Sequence, residues 1–166
     1  AKGLIAVSRA DGEITKEDMK RADFASETAL SKLHNKEILH RIPLSYKIDN
    51  EISTYDPLGL TGAKLEAETM FITAFIQNIK NVLKALEEAA IEVEEVVASP
   101  LAASRVALGS REKEIGAMVL DLGAATTSMV LFEEGLPYSL DVFPIGSQHI
   151  THDIAVGFKV DLEEAE

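Results

Sequence analysis

The stretch VLDLGAATTSMVLFEEG (residues 119–135) places a cluster of small and hydroxyl side chains between two apolar runs. Each run has the length and composition of a buried strand, and EEG at its end is typical of a hairpin turn. Backbone N–H groups that converge on one point can hold an anion, and small residues such as Gly123, Ala124 and Ala125 let the backbone approach it. The stretch therefore predicts either a phosphate-sized site or a turn of small residues packed under a larger neighbour.

Polar side chains within this stretch favour the phosphate hypothesis. Thr126 and Thr127 carry hydroxyl donors, and Asp121 follows the first apolar run. Mg²⁺ bound to phosphates usually keeps several waters, so a carboxylate can hold it through that water shell. The residue types suit a phosphate with Mg²⁺, while the spacing alone leaves the packed turn as an open alternative.

The residues around this stretch predict alternating strands and helices, which is an α/β pattern. On its C-terminal side we expect strands at 128–132 and 136–143, followed by a helix that Ser147 caps. On its N-terminal side the first strand begins at Ile115, after GSREKE, a short charged segment that contains Gly109 and is the candidate boundary before this part of the chain. Farther upstream the predicted elements are a helix from Ile76 to Ala90, a strand over IEVEEVVASP and a helix from Pro100 to Leu108.

The N-terminal part of the chain predicts a small two-layer unit with the order strand, helix, strand, strand. GLIAVS is a short apolar run before an Asp-Gly turn, and Thr15, three residues before Asp18, is a typical helix N-cap. This helix is expected to end at Asn35. The strand over 36–48 contains Pro43, which has no N–H to donate, so it belongs at a sheet edge or a bulge. A structured loop then leads to the last strand of the unit.

Composition excludes several classes of function. The 166 residues are 46% hydrophobic, enough for a packed core, and their net charge of −12 repels a phosphate backbone or an anionic lipid surface. Nucleic acid is therefore not expected as a partner. The chain has no cysteine, which removes disulfides, thiolate metal sites and a cysteine nucleophile together. The absence of cysteine leaves the redox compartment open, with a cytoplasmic setting as the default expectation. No apolar run approaches the roughly 20 residues that span a bilayer, so the chain as given is expected to be soluble.

Catalytic residues cannot be assigned from the sequence. The histidines have no acid-rich ligand shell around them and predict surface or capping side chains rather than a metal site; they are His34, His40, His149 and His152. The carboxylates in EEAAIEVEE and at 163–166 are typical of a charged helix surface rather than of acid-base chemistry.

Two groups of motifs resemble the FtsA family of bacterial cell-division proteins, within the actin and sugar-kinase superfamily. DLGAATT between two strands is similar to the second phosphate-binding hairpin of that superfamily, and the later segments PIGS and THDIA continue the family pattern. ILHRIPLSYKIDNE and DPLGLTGAKLEAE are similar to two segments of a subdomain inserted in FtsA. Because sugar kinases lack this insert, the second pair makes the resemblance more specific than the hairpin does.

The resemblance implies a fragment of an actin-like ATPase that contains a small two-layer strand-helix-strand-strand inserted subdomain. Residues 1–75 correspond to the insert, 76–112 to the returning part of the first actin-like domain, and 113–166 to the start of the second. We find no counterpart of the family's first phosphate loop, adenosine-binding glycines, FtsZ-binding subdomain or C-terminal amphipathic membrane helix. The chain is therefore expected to lack both ends of the full-length family protein.

The function implied by the resemblance is an ATP-binding, polymer-forming adaptor. Such a protein lies in the cytoplasm at the inner face of the cell membrane, links FtsZ filaments to that membrane at the division site and recruits later division proteins. By resemblance, the hairpin holds ATP phosphate and Mg²⁺, and its site residues are Asp121, Gly123, Ala124, Ala125, Thr126 and Thr127. The full-length protein is at most a slow ATPase. The alternatives are a pilus-assembly adaptor of the PilM kind and a superfamily phosphotransferase, which needs a catalytic acid and a sugar pocket that the sequence does not display.

Further expectations concern partners and the 166-residue chain itself. Pro43, Tyr46 and Tyr55 of the insert are expected to form either a partner surface, which the resemblance favours, or simply a packed edge. The chain alone is expected to be inactive and to bind no ATP, because the hairpin supplies one wall of a two-walled cleft. It is also expected to self-associate through exposed strand edges and apolar faces.

The hairpin departs from the family pattern at two positions. Ala124 and Ala125 stand where the family usually has glycine. Alanine costs little at negative φ but about 1 kcal/mol or more at positive φ. The turn is therefore expected to be reshaped, and nucleotide contact weakened, if its φ angles must be positive.

Overall fold

The computed structural model describes residues 1–31 and 33–166. The chain divides into two compact units, Ala1–Val96 and Val97–Glu166. These units and the segments implied by the family resemblance are different kinds of division, so the boundaries at 75 and 112 stay a prediction.

The first unit combines a four-stranded antiparallel sheet with two helices. Its elements are β1 (Lys2–Ala6), α1 (Lys16–Thr28), β2 (Lys36–Ile48), β3 (Ile52–Thr54), β4 (Lys64–Phe75) and α2 (Ile76–Glu88). The strands lie in the order β1-β4-β2-β3, and α1 packs against β1 and β4. The predicted two-layer unit is therefore confirmed.

Two details of this unit differ from the prediction. The expected loop after β2 contains the short strand β3, which pairs with Tyr46–Ile48 across a turn where Asp49 and Asn50 have φ of 49° and 64°. Aspartate and asparagine tolerate this left-handed conformation, so the chain can reverse and pair at once. Asn35 does not end α1, which stops at Thr28; its φ of 55° instead turns the chain into β2.

The core of the first unit lies between α1 and the sheet. Its buried residues are Ile14, Ala22, Tyr46, Ile48, Leu65 and Ala67. The α1 helix approaches β1 closely because Ala22 and Ser26, both fully buried, face Gly3. A Cβ added at Gly3 would meet backbone atoms of Ser26, Ala22 and Ala25. The backbones of helix and strand are therefore in direct contact at this point.

The start of α1 is fixed by a capping box, as its sequence predicted. The backbone N–H of Asp18 donates to the hydroxyl of Thr15 at 3.3 Å, and the backbone N–H of Thr15 donates to the Asp18 carboxylate at 3.1 Å. Arg21 also donates to this carboxylate, at 3.1 Å. Two otherwise free donors at the helix end are thereby satisfied, which stabilises the first turn.

Replacing Asp18 by asparagine is expected to lower the free energy of unfolding by about 1 kcal/mol at pH 7. The hydrogen bonds from Thr15, with a smaller effect of Arg21, lower the pKa of Asp18 below its ordinary 3.8. A lowered folded-state pKa contributes stability that is present above the ordinary pKa and is lost as the pH falls through the lowered one. In urea unfolding, the difference between variant and parent should therefore shrink towards about pH 3.

The control for this prediction is Glu17→Gln, at the neighbouring exposed position of the first turn. Its effect should stay below about 0.5 kcal/mol, because an exposed charge near a helix end is screened by water and salt. An Asp18→Asn effect that keeps its full size in acid would contradict the assignment to the ionised capping box.

The position of Pro43 agrees with the prediction of an edge or bulge. The register between β2 and β4 shifts between Pro43 and Ser45, and again between Ile38 and His40. Within the described residues, β3 pairs only with Tyr46–Ile48 of β2. The N-terminal part of β2 therefore presents an open edge on the side away from β4.

The second unit contains a three-stranded antiparallel sheet and four helices. Its elements are α3 (Ser99–Ala107), α4 (Ser110–Ile115), β5 (Ala117–Leu122), β6 (Thr127–Glu133), β7 (Leu136–Phe143), α5 (Ser147–Phe158) and α6 (Leu162–Ala165). The strands lie in sequence order, and α3 and α4 pack against β5 and β6. On the covered face Ser128, Val130 and Phe132 are buried. The predicted hairpins, α3 and the last predicted helix are confirmed, but the N-cap of that helix is Gly146 and Ser147 is its first residue.

Three predictions for this half of the chain were wrong. IEVEEVVA, residues 91–98, forms no strand, because no partner strand lies beside it in the described structure to satisfy its backbone. The first strand begins at Ala117 rather than at Ile115, because most of GSREKE and Ile115 form the helix α4, with Gly109 as N-cap and Glu112 favourably placed in the first turn. The strand before the hairpin is not buried: Met118, Leu120 and Leu122 of β5 are at least half exposed.

Candidate functional site

The candidate site is the turn between β5 and β6. The N–H of Gly123 donates to the carbonyl of Thr126 at 2.9 Å, which closes the turn. Asp121 lies opposite Ser128 in the strand register, one residue before the end of β5, and its side chain is exposed. Asp121, Ala124, Ala125 and Thr126 are all solvent-exposed. A ligand can therefore reach the turn.

The other side of the turn is held by the N-terminus of α5. The N–H groups of Ser147 and Gln148 donate to the carbonyls of Gly123 and Ala124 at 2.9 and 3.0 Å. Gly146 is buried against the same two carbonyls, and an added Cβ there would overlap both oxygens. The sequence had left open a turn of small residues packed under a larger neighbour, and this description fits the side of the turn that contacts α5.

The outer side of the turn retains free donors. In the described structure no hydrogen bond uses the N–H groups of Ala124, Ala125 or Thr126. Three consecutive free amides with small flanking side chains suit an anion, since a phosphate can be bound by a concave run of backbone N–H groups. Packing under α5 thus uses the carbonyls of Gly123 and Ala124 and leaves these three amides unbonded.

The alanines do not strain this turn. None of the residues 123–126 of the β5–β6 turn is among those with positive φ, so Ala124 and Ala125 have backbone angles that any L-residue adopts. The departure from the family's glycines therefore carries no conformational penalty here.

The hydroxyls of the two threonines differ in availability. Thr127 donates from Oγ1 to the carbonyl of Ile145 at 2.7 Å, which ties β6 to the segment before α5. Its hydroxyl is therefore engaged in holding the fold, whereas Thr126 is exposed on the turn.

His149 also helps to fix the N-terminus of α5. The backbone N–H of Gly146 donates to Nδ1 of His149 at 3.1 Å. This histidine is a capping residue, one of the two roles that the sequence predicted. Among the described residues, no cluster of three or more His, Asp or Glu side chains is arranged to hold a metal ion.

Comparison with known protein families agrees with both halves of the structure. A model described as an SHS2 domain inserted in FtsA matches residues 1–73, and a model described as cell division protein FtsA matches residues 118–166. The chain belongs to the FtsA family. Cell division protein FtsA of Bacillus subtilis is 35% identical over 164 residues, which are 99% of this chain and 37% of that protein. FtsA of Borreliella burgdorferi is 33% identical over 166 residues, all of this chain and 40% of that protein.

The chain therefore spans about two fifths of the length of the curated FtsA proteins it matches. Among solved structures, the PilM-PilN type IV pilus biogenesis complex superposes with a TM-score of 0.60 and 22% identity over 99% of this chain and 45% of that one. A likeness at this identity concerns the fold alone. It agrees with the actin-like α/β fold expected for an FtsA chain with its insert.

The residues expected at a partner surface of the FtsA insert lie in different environments. Tyr46 is only 4% exposed, and its hydroxyl donates to Asp23, so it is a core residue and is not available to a partner in this structure. Pro43 and Tyr55 are exposed. A partner role for these two stays a prediction.

Two features of this FtsA chain were missed from the sequence. The first is the close contact of Gly146 with the β5–β6 turn, although the sequence offered a signal, since Gly146 is part of the segment PIGS that matches the family pattern. The other is Asp23, which lies on the charged side of the predicted α1 but is half-buried beneath the sheet residues Tyr46 and Thr69. Helical periodicity does not show how far a neighbouring sheet extends over a helix.

Proposed function

We propose that this chain forms part of an actin-like adaptor in cell division that binds ATP with Mg²⁺ at the β5–β6 turn. The observation that carries the proposal is the set of three free backbone amides at Ala124, Ala125 and Thr126 beside an exposed carboxylate, Asp121. Membership of the FtsA family supports the cell-division role.

In this proposal the turn binds the phosphate and the carboxylate binds the cation. The amides of Ala124, Ala125 and Thr126 donate to phosphate oxygens, and the Thr126 hydroxyl adds a further donor. Asp121 holds the water shell of Mg²⁺, which neutralises phosphate charge when bound. Gly123 contributes its carbonyl to α5 and thereby positions the turn. The nucleotide sets conformation and assembly, with slow hydrolysis at most.

The adaptor role extends to other division proteins. We infer that the complete protein polymerises, connects FtsZ filaments to the inner face of the cell membrane at the division site, and recruits later division proteins through its insert. In the described part of the chain, every helix falls short of the length and apolar content that a membrane span needs. The pilus-assembly and phosphotransferase alternatives gain no support beyond the shared fold.

The experiment is calorimetric titration of ATP with Mg²⁺ into a protein of the relatives' length that contains this chain. Asp121→Asn is expected to weaken binding at least about tenfold, because the water shell of Mg²⁺ loses the anionic group that holds it. Asp141→Asn, at an exposed position of the same sheet, is the matched control and should bind as the parent does. Equal affinity of the Asp121 variant and the parent would contradict the proposed site.

The adaptor role is tested separately by co-sedimentation of that longer protein with FtsZ filaments. Co-sedimentation is expected, and its absence at saturating ATP would contradict the link to FtsZ. For the 166-residue chain we expect no measurable ATP affinity, because the turn is one wall of the cleft. Micromolar binding to the 166 residues would contradict this expectation.

A further inference from the structure

A groove on the first unit lies where α1 passes over β2 and β4. Its volume is about 290 Å³, and three of its lining residues are apolar: Phe24 of α1, Pro43 of β2 and Phe71 of β4. Phe24 is 70% exposed. Two aromatic side chains therefore border a concave surface that solvent can enter.

Asp23 is a half-buried acid in this groove. Both of its carboxylate oxygens lie 3.1 Å from the single hydroxyl of Tyr46, and Oδ1 lies 3.5 Å from that of Thr69. One shared proton and one long contact leave much of the acceptor capacity of a carboxylate unused. Burial raises the pKa of Asp23 above its ordinary value, and the two hydroxyls offset this only in part.

Neither of the cationic side chains that line the groove forms an ion pair with Asp23 in the described structure. Arg41 is bound in two-pronged fashion by Glu27, from Nε at 2.8 Å and from Nη2 at 2.9 Å. Lys20 lines the groove, but among the described residues it makes no ion pair with Asp23. The lining of the groove thus includes a carboxylate with spare acceptor capacity and two aromatic rings, a combination that favours a cation.

We propose that this groove binds an arginine side chain from an extended segment of a partner protein, with apolar residues flanking the arginine. A guanidinium stacks on aromatic faces and presents paired N–H donors to a carboxylate, whereas an ammonium does neither as well. The open N-terminal edge of β2, which carries Arg41 and Pro43 into the groove, can pair with the backbone of an extended segment. This deepens the recruiting role of the insert and rests on that proposed function.

The test is an NMR titration of the 166-residue chain with the capped peptide Gly-Leu-Arg-Leu-Gly. The aromatic signals of Phe24 and Phe71 are expected to shift. A peptide with citrulline, the neutral isostere of arginine, should bind at least about tenfold more weakly, because a charge-assisted hydrogen bond becomes a neutral one. Equal binding of the two peptides, or shifts confined to other residues, would overturn the proposal.

The matched pair of variants is Asp23→Asn and Glu17→Gln, which remove one charge each from the same helix. Asp23→Asn should weaken arginine-peptide binding at least about tenfold without lowering stability at pH 7, because the charge it removes is partly desolvated. Glu17→Gln, at an exposed position away from the groove, should bind as the parent does. Unchanged binding by Asp23→Asn would overturn the proposal, and if that variant fails to fold the citrulline comparison decides.

These measurements need neither nucleotide nor FtsZ. A negative peptide result with normal ATP binding and co-sedimentation of the longer protein would therefore overturn the arginine site alone. Peptide binding as expected, together with no ATP binding and no co-sedimentation of the longer protein, would overturn the proposed adaptor role and leave the arginine site as an independent result.

Discussion

Replacing Gly3 by alanine is expected to destabilise the first unit by about 3 kcal/mol or more. The new Cβ would overlap backbone atoms of Ser26 and Ala22, which cannot change rotamer to make room. Relief requires α1 to move away from β1, and this opens the layer in which Ala22 and Leu65 are fully buried. Urea unfolding should show a lower midpoint, and amide hydrogen exchange should show loss of protection in α1 and β4.

The control for this substitution is Leu4→Ala, on the same strand but at a position that is 55% exposed. Its cost should remain below about 1 kcal/mol, because little buried contact is removed. Adding Ser26→Ala to the Gly3 variant should not restore stability, since the overlap is with backbone atoms. Protection of α1 that equals the parent's would contradict the close-contact explanation.

Replacing Gly146 by alanine is expected to separate the candidate site from α5. The φ and ψ of Gly146, −147° and −171°, suit any residue, so the glycine is required by space rather than by conformation. Its Cβ would overlap the carbonyl oxygens of Gly123 and Ala124, which accept the first hydrogen bonds from α5. Loss of these bonds together with the steric overlap should cost the second unit about 2–4 kcal/mol.

Gly157→Ala provides a control on the same helix. Nothing lies within 4 Å of an added Cβ at Gly157, and alanine is the better helix former, so this variant should be neutral or more stable by up to about 1 kcal/mol. In the longer protein, Gly146→Ala should also weaken ATP binding while Gly157→Ala leaves it unchanged. Similar unfolding midpoints for the two variants would show that the hairpin and α5 are not coupled as described.

Local signals were predicted well from the sequence. The capping box of Thr15 and Asp18 and the strands at 128–132 and 136–143 depend on residues close in the chain, and the structure contains them. The bulge beside Pro43 follows from a missing N–H and was equally accessible. In each case one short stretch contains the whole physical cause.

Predictions that failed or stayed open include those that depend on distant contacts. IEVEEVVA has the composition of a strand, but a strand also needs a neighbouring strand to pair with. Its own sequence does not show whether such a neighbour exists, and neither sheet of the described structure includes it. The sequence left Tyr46 either at a partner surface or at a packed edge, and the hydrogen bond from its hydroxyl to Asp23, 23 residues away in the chain, shows that it is packed.

The hydrogen bonds between the hairpin and α5 also make the turn pre-organised. The carbonyls of Gly123 and Ala124 accept hydrogen bonds from amides of α5, while the amides of residues 124–126 make no hydrogen bond. An anion would therefore bind to donors that are already ordered by folding. The chain as a whole carries a net charge of −12, which opposes any free anion. We therefore expect the turn to bind an anion whose charge is neutralised by an accompanying cation more tightly than a free anion.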